Sequence, residues 1–194
     1  MVDKRKDELL ERIRAARAAW EAAVAEVPAD RLTEPFAEGE WATKDVIAHL
    51  TADSRWMTGQ LRAVMRGDLP TVEECYGHEQ VPPPDVDLSD QDQRNAWRQE
   101  AVDRHRSLDE VLANAPRWAD ALEEAVAALP ESELDRPYTF AEHIHVAHVR
   151  PAREGEPNWP LGQLISSYAD AHYAAHTAAL RAWLDGLRSD DPAR

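Results

Sequence analysis

Through the first segment apolar residues recur at steps of three and four, at Leu9, Ile13, Ala16, Trp20, Ala23 and Val27, with charges filling the opposite face. That period predicts an amphipathic helix with one buried seam. Pro28 stops it, because its ring and missing N–H make continuation costly. A linker with Pro35 and Gly39 leads to a second helix, with Thr43 as predicted N-cap and Asp45 favourable to the positive end of the dipole. Its apolar row is Ile47, Leu50, Met57, Leu61 and Val64, and Gly67 near Pro70 ends it. Residues 67 to 89, with Pro70, Pro82, Pro83 and Pro84 and no clear period, predict a long connection.

From Asp90 the helical signal returns as a short, highly charged helix carrying Trp97, Ala101 and His105. A longer run follows at Leu108, Val111, Leu112, Ala115, Trp118, Leu122, Val126 and Leu129, closed by Pro130. Pro116 interrupts it, which predicts either a kink there or a new helix capped by Asn114. Thr139-Phe-Ala-Glu142 matches a capping box and would start a short helix through His143, His145 and His148, although the same residues alternate as a strand would. Starting near Pro160, a last helix places Leu161, Ile165, Tyr168, His172, Ala175, His176, Ala179 and Trp183 on one continuous stripe, with Gly186 near its end. The expectation is all-α: one bundle domain over residues 1–194, with four main helices, long middle connections and a short extra helix.

Length and composition narrow the function classes. A chain of 194 residues with 43% hydrophobic residues and seven Trp can bury a core without metals or disulfides, so disorder is excluded. The 22 Lys and Arg against 37 Asp and Glu leave a net charge of −15, which repels phosphate backbones and anionic lipid surfaces. No nucleic-acid partner and no membrane association are expected, since no stretch approaches the roughly 20 apolar residues of a span. The start lacks an apolar signal core, and the single Cys75 excludes an internal disulfide and suits a reducing compartment. The chain therefore reads as cytoplasmic, and a homodimer is the expected assembly because exposed bundle faces often pair.

The chemistry sits in the histidines. His172 and His176 are four residues apart on one helix, so both imidazoles project from one side and can reach a common ion. Eight histidines in 194 residues give about 0.3 such pairs by chance, so the spacing alone is weak. Its place in an apolar stripe adds weight, because a buried ring needs a partner. That partner is either a backbone carbonyl or Tyr hydroxyl for each ring, or a shared cation. In the second helix His49 and Asp53 share a face at the same spacing.

Trp41-Ala-Thr-Lys-Asp-Val-Ile-Ala-His-Leu50, a helix before it, and Ala171-His-Tyr-Ala-Ala-His-Thr-Ala-Ala-Leu-Arg-Ala-Trp-Leu184 after it resemble the DinB/YfiT-like superfamily of metal-binding four-helix bundles. That group includes the N-terminal domain of mycothiol-dependent maleylpyruvate isomerase and the ClbS-like self-resistance branch. Leu108-Asp-Glu-Val-Leu112 and the His172-Tyr173 pair are similar to the latter. The resemblance covers the chain from the first helix to residue 187. It implies a triad of His49, His172 and His176 around a divalent metal, zinc or nickel, with a position open to water or a ligand. It also implies a low-molecular-weight thiol as a co-substrate and a small molecule as substrate.

Asp53 is then either a fourth ligand or the acceptor that fixes the His49 tautomer, with a surface pairing to Arg as the alternative. The segment from Phe140 to Pro157 has no counterpart in the family pattern. Its His143, His145 and His148 either add a base or ligand, with His145 the candidate catalytic group beside Asp53, or stay solvated as loop residues do by default. Cys75 near His78 is too little for a Cys/His nucleophile, since closeness in sequence says little about closeness in a fold. Trp56, on the helical side of His49 and Asp53, and Tyr168 on the last stripe are candidate walls of a ligand pocket. Three readings follow: a metal-dependent enzyme acting by hydrolysis or thiol transfer, a small-molecule binding or self-resistance protein that does not need the metal, and a bundle whose histidines only satisfy core hydrogen bonds.

Overall fold

The structure, a computed structural model, describes residues 4–37, 40–68, 70–77, 86, 91–138 and 159–189. Helix α1 (Arg5–Ala25) ends three residues before Pro28, and α2 (Thr43–Arg66) ends on Gly67, whose φ of 70° is the left-handed closure predicted for it. Thr43 is not the N-cap of α2. Ala42 holds that position, and the Asp45 carboxylate accepts the Ala42 N–H at 2.9 Å, doing from the first turn what a capping side chain would do. The connection after Gly67 contains a one-turn helix, α3 (Val72–Tyr76), started by a reciprocal Thr71–Glu74 capping box. It buries Cys75 and Tyr76, and crosses α2 at Gly59, where an added Cβ would lie 2.9 Å from the Glu74 carbonyl oxygen. Gly59→Ala is therefore expected to lower stability by about 1–3 kcal/mol through overpacking against backbone, as read by chemical denaturation.

Helix α4 (Gln91–Ala101) is the short charged helix, followed by a 3₁₀ turn at Asp103–His105. Helix α5 (Leu108–Ala128) runs through Pro116 without a break, so no new helix starts there. Its start is capped by Ser107 and Glu110, and Asn114 is not a cap: its amide donates to the Glu110 carbonyl at 2.8 Å. The predicted last helix is two helices, α6 (Leu161–Tyr168) and α7 (Asp170–Ser189), separated at Ala169 with φ −118° and ψ −98°. Asp170 opens α7 with a carboxylate at the positive end of the new dipole and pairs with Arg12 of α1 at 2.9 Å. The break turns the buried face of α7 to Tyr173, Thr177, Leu180 and Leu184, so His172 and His176 border the core instead of lying in its middle. A two-residue antiparallel pair, β1 (Pro137–Tyr138) with β2 (Trp159–Pro160), leads into α6. The predicted capping box at Thr139, with His143, His145 and His148, lies outside the described residues, as does His78.

The bundle is α1, α2, α5 and the α6–α7 pair, with α1 antiparallel to α5. Lys6 near the start of α1 donates to the Ala127 and Leu129 carbonyls at 2.9 Å, a cation at the negative end of α5. The core forms two clusters along the bundle. One joins Leu9, Ile13, Met57, Leu61, Leu122 and Ile165, and the other joins Trp20, Ile47, Leu50, Val111, Tyr173 and Leu180. On α2 the second cluster ends at Leu50 and the first begins at Trp56, and the buried polar residues His49, Asp53 and Ser54 form a layer at this junction. No helix among the described residues is long and apolar enough to cross a membrane.

Candidate metal centre

That polar layer is where α2 and α7 meet. His49 projects from α2 with only 5% of its surface exposed, and the ring edge of Trp41 closes over it with centroids 5.0 Å apart. His172 and His176 approach from α7, both half-buried. His172 Nε2 lies 3.1 Å from His49 Nε2 and 3.0 Å from His176 Nε2. The structure thus brings the three predicted histidines together, with one nitrogen of each within 4.8 Å of the others.

The protonation pattern follows from the partners. Asp53 Oδ2 lies 3.2 Å from His172 Nδ1, so that N–H donates to the carboxylate and the Nε2 lone pair faces the other two rings. One lone pair cannot serve two donors well. A single cation would satisfy all three nitrogens at once, and neutral imidazole nitrogens are the donor set that suits zinc or nickel. Burial, reinforced by the Arg98 charge, lowers the His49 pKa to about 3, against the pull of Asp53. His176 is lowered to about 4, chiefly by burial and then by His172. Both rings are therefore neutral at pH 7.

Asp53 does not fix His49, as the spacing within α2 suggested. Its Oδ2 is 3.6 Å from His49 Nε2, and its close contact is across the interface to His172. Its other oxygen accepts from Arg98 Nη1 at 2.8 Å, while Arg98 Nη2 donates to the His49 carbonyl at 3.0 Å. Burial opposes ionisation of Asp53, but His49, Arg98 and His172 together hold its pKa well below the usual carboxylate range. Asp103 completes the layer, with Oδ2 3.9 Å from Arg98 Nε and burial raising its pKa.

Arg98 and Asp103 are the residues that sequence reasoning missed. A charged residue beside Trp97 in a highly charged helix reads as solvated, yet Arg98 is only 2% exposed. The one available signal was Asp53, an acid on the histidine face of α2 that needed a cation. Trp56 and Tyr168, the candidate pocket walls, pack on one another with centroids 5.0 Å apart, and both belong to the core cluster below the polar layer. His145, the other candidate catalytic group, lies outside the described residues.

Residues 13–120 match the mycothiol maleylpyruvate isomerase N-terminal domain. The chain belongs to that family. The matched span of the mycothiol maleylpyruvate isomerase N-terminal domain carries His49, Asp53, Arg98 and Asp103, and stops before His172 and His176. Among solved structures the chain is similar to an uncharacterised protein of Escherichia coli UTI89, at 14% identity, 96% of each chain covered and a TM-score of 0.69. It is also similar to the colibactin self-resistance protein ClbS in complex with a dsDNA, at 12% identity, with 95% of this chain and 98% of that one covered and a TM-score of 0.67. YfiT from Bacillus subtilis, described as a probable metal-dependent hydrolase with an unusual four-helix bundle topology, matches at 14% identity over 95% of this chain and 90% of its own, with a TM-score of 0.59. At these identities the likeness is one of fold, and it agrees with the DinB-like resemblance of the sequence. Compared with curated proteins, the sequence finds no significant match.

Proposed function

We propose that this protein is a divalent-metal-dependent enzyme acting on a small molecule, with His49, His172 and His176 as the ligands and a low-molecular-weight thiol as co-substrate. The observation that supports it most is the meeting of three Nε2 atoms from two helices, with His172 oriented by a buried carboxylate. When bound, such an ion supplies Lewis-acid polarisation and brings the pKa of a water or thiol towards neutrality.

Each neighbouring residue has a definable task. Arg98 holds Asp53 ionised and grips the His49 backbone, so α2 cannot rotate the ring away. Asp53 keeps the His172 proton on Nδ1 and leaves Nε2 free to bind. His172 and His176 are more exposed than His49, so the substrate enters from the α7 side. Asp53 acts as a positioning group in this scheme. Cys75 is not the nucleophile: it is 1% exposed and burial pushes its pKa up to about 12. A thiol nucleophile therefore has to arrive with a second molecule, which accords with membership of a mycothiol-linked family. Water in place of the thiol gives the hydrolase reading, which the description of YfiT favours. The dsDNA belongs to the ClbS complex, and with a net charge of −15 a gel-shift titration of this chain with dsDNA is expected to show no complex.

The test is elemental analysis of protein purified without chelator, followed by zinc and nickel titration and thiol-consumption assays over an electrophile panel. About one ion per chain is expected, with thiol loss that stops on chelation and returns with added metal. Protein that carries no metal and takes up no zinc would instead support a binding or self-resistance role that does not need the ion. Metal-dependent turnover without thiol dependence would support hydrolysis.

A further inference from the structure

We infer that the cleft between α1, α2 and the first half of α5 binds an apolar organic ammonium ion, a primary amine carried on an alkyl or aryl body. None of His49, His172 and His176 lines it, so the site stands apart from the metal centre and does not depend on that reading.

The cleft follows from the way α1 and α5 pack. Near the start of α1 the two helices are tied by Lys6 on the Ala127 and Leu129 carbonyls, and further along by Arg14 and Arg17 on Glu123 and Asp120. Past that last tie the α5 side chains are short. Ala115 and Ala119, four residues apart, share a face with Pro116, and the space they leave against Trp20 and Val24 of α1 stays open. Ile47 and Leu50 of α2 complete the apolar lining. The volume is about 420 Å³, inside the roughly 300–1,000 Å³ of small-molecule sites, whose walls are apolar in the same way. Leu112, one turn before Pro116 in the same lining, is 40% exposed, so an apolar guest removes it from water.

The polar groups decide the charge of the guest. Arg17 is committed: its Nε donates to Glu21 at 2.7 Å, and its Nη1 donates to Asp120 at 2.6 Å and to Glu123 at 2.9 Å. Burial opposes its charge, but these bonds raise its pKa above the ordinary arginine value. Arg14 Nε adds a second cation 3.0 Å from Glu123. Among the described residues three carboxylates thus meet two guanidinium groups, and the surplus is negative, as it is for the whole chain at −15. The Glu21 and Asp120 side chains are 56% and 62% exposed, so both carboxylates are within reach of a ligand entering from solvent. A carboxylate offers about four lone-pair sites, more than a single arginine contact uses.

Hydrogen-bond capacity points the same way. Thr51, also in the lining, gives its hydroxyl hydrogen to the Ile47 carbonyl at 2.7 Å, so what it keeps for a guest is its lone pairs. Pro116 has no N–H, so the Leu112 carbonyl lacks its i→i−4 donor although α5 continues through it. An ammonium group supplies three donors and a positive charge to this set of acceptors. A carboxylate would supply neither and would meet Glu21 and Asp120 as like charges.

The test is a methyl-detected NMR titration of the full chain with octylammonium chloride, octan-1-ol and sodium octanoate, at constant ionic strength and below micelle formation, following the Val24, Ile47, Leu50 and Leu112 methyls. Saturable shifts with octylammonium are expected at about millimolar concentration, as suits a ligand of this size. Octanoate should bind about tenfold more weakly, through lost attraction and added repulsion. Octanol should bind about threefold more weakly, and Glu21→Gln should weaken octylammonium by about the same factor while leaving octanol unchanged, the effect of one partly exposed charge pair. General damage to the fold would move both ligands together. Ala115→Phe fills the cleft and should abolish binding of both, with circular dichroism checking its helicity. Leu112→Lys, at an exposed position, serves if that variant fails to fold, and should weaken octylammonium more than octanol. Shifts that do not saturate, or that survive these two substitutions, would overturn the site. Octanol or octanoate binding as tightly as octylammonium would overturn the ammonium assignment.

Discussion

Arg98→Met should lower the free energy of unfolding by about 3–5 kcal/mol at pH 7, the cost of stranding buried charge after one partner is removed. Arg98 is 2% exposed and stands between Asp53 and Asp103, themselves 3% and 4% exposed. Methionine of similar length fills the space but leaves the buried Asp53 without its cation, Asp103 with only Arg106 at 3.7 Å, and the His49 carbonyl without its donor. Urea denaturation checks the prediction, and a loss below about 1 kcal/mol would show that the ion pair contributes no more than an exposed one. The pH dependence adds a second reading. In the wild type the Asp53 pKa is held below its unfolded value, so its contribution is present above about pH 4 and fades as pH falls through the folded pKa. In the variant, burial without Arg98 pushes the pKa of both acids up, so protonation as pH falls relieves them. The gap between wild type and variant is therefore expected to be wider at pH 8 than at pH 5.

His172→Ala is expected to weaken zinc or nickel binding by more than about 100-fold, beyond the roughly 10- to 100-fold loss typical of an outer partner such as Asp53. His172 is the middle ring, 3.1 Å and 3.0 Å from the other two nitrogens, so removing it leaves a pair that is not held together directly. Competition against a chromophoric chelator measures the affinity. Asp53→Asn is the useful companion, since the carboxamide keeps the shape but accepts the Nδ1–H less strongly, and its loss should fall within the smaller range. Equal effects of the two variants would argue that the metal is not bound through His172. Stability measured in parallel separates lost ligation from lost folding, because Asp53→Asn also leaves Arg98 without one of its counter-charges.

The two halves of the site were visible as local spacing, His49 with Asp53 and His172 with His176, because an i,i+4 pair shares a helix face wherever the helix sits. That they belong together came from the order of motifs along the chain, not from either pair. The cation under them was invisible: Arg98 is one of 22 basic residues, and nothing near it in sequence marks it as the one that becomes buried. The break at Ala169 was invisible as well. No Gly or Pro marks it, and the helix divides where Asp170 meets Arg12, 158 residues earlier in the chain.

By itself, the sequence determined the helical periods, the stops at Pro28 and Gly67, the all-α bundle and the residue types able to bind a metal. These depend on backbone geometry and neighbours a turn away. Only the tertiary structure decided that Asp53 serves His172 instead of His49, that Arg98 is its cation, and that the histidines border the core. Such pairings depend on which charges the packing of distant helices removes from water, and a one-dimensional pattern does not carry that information.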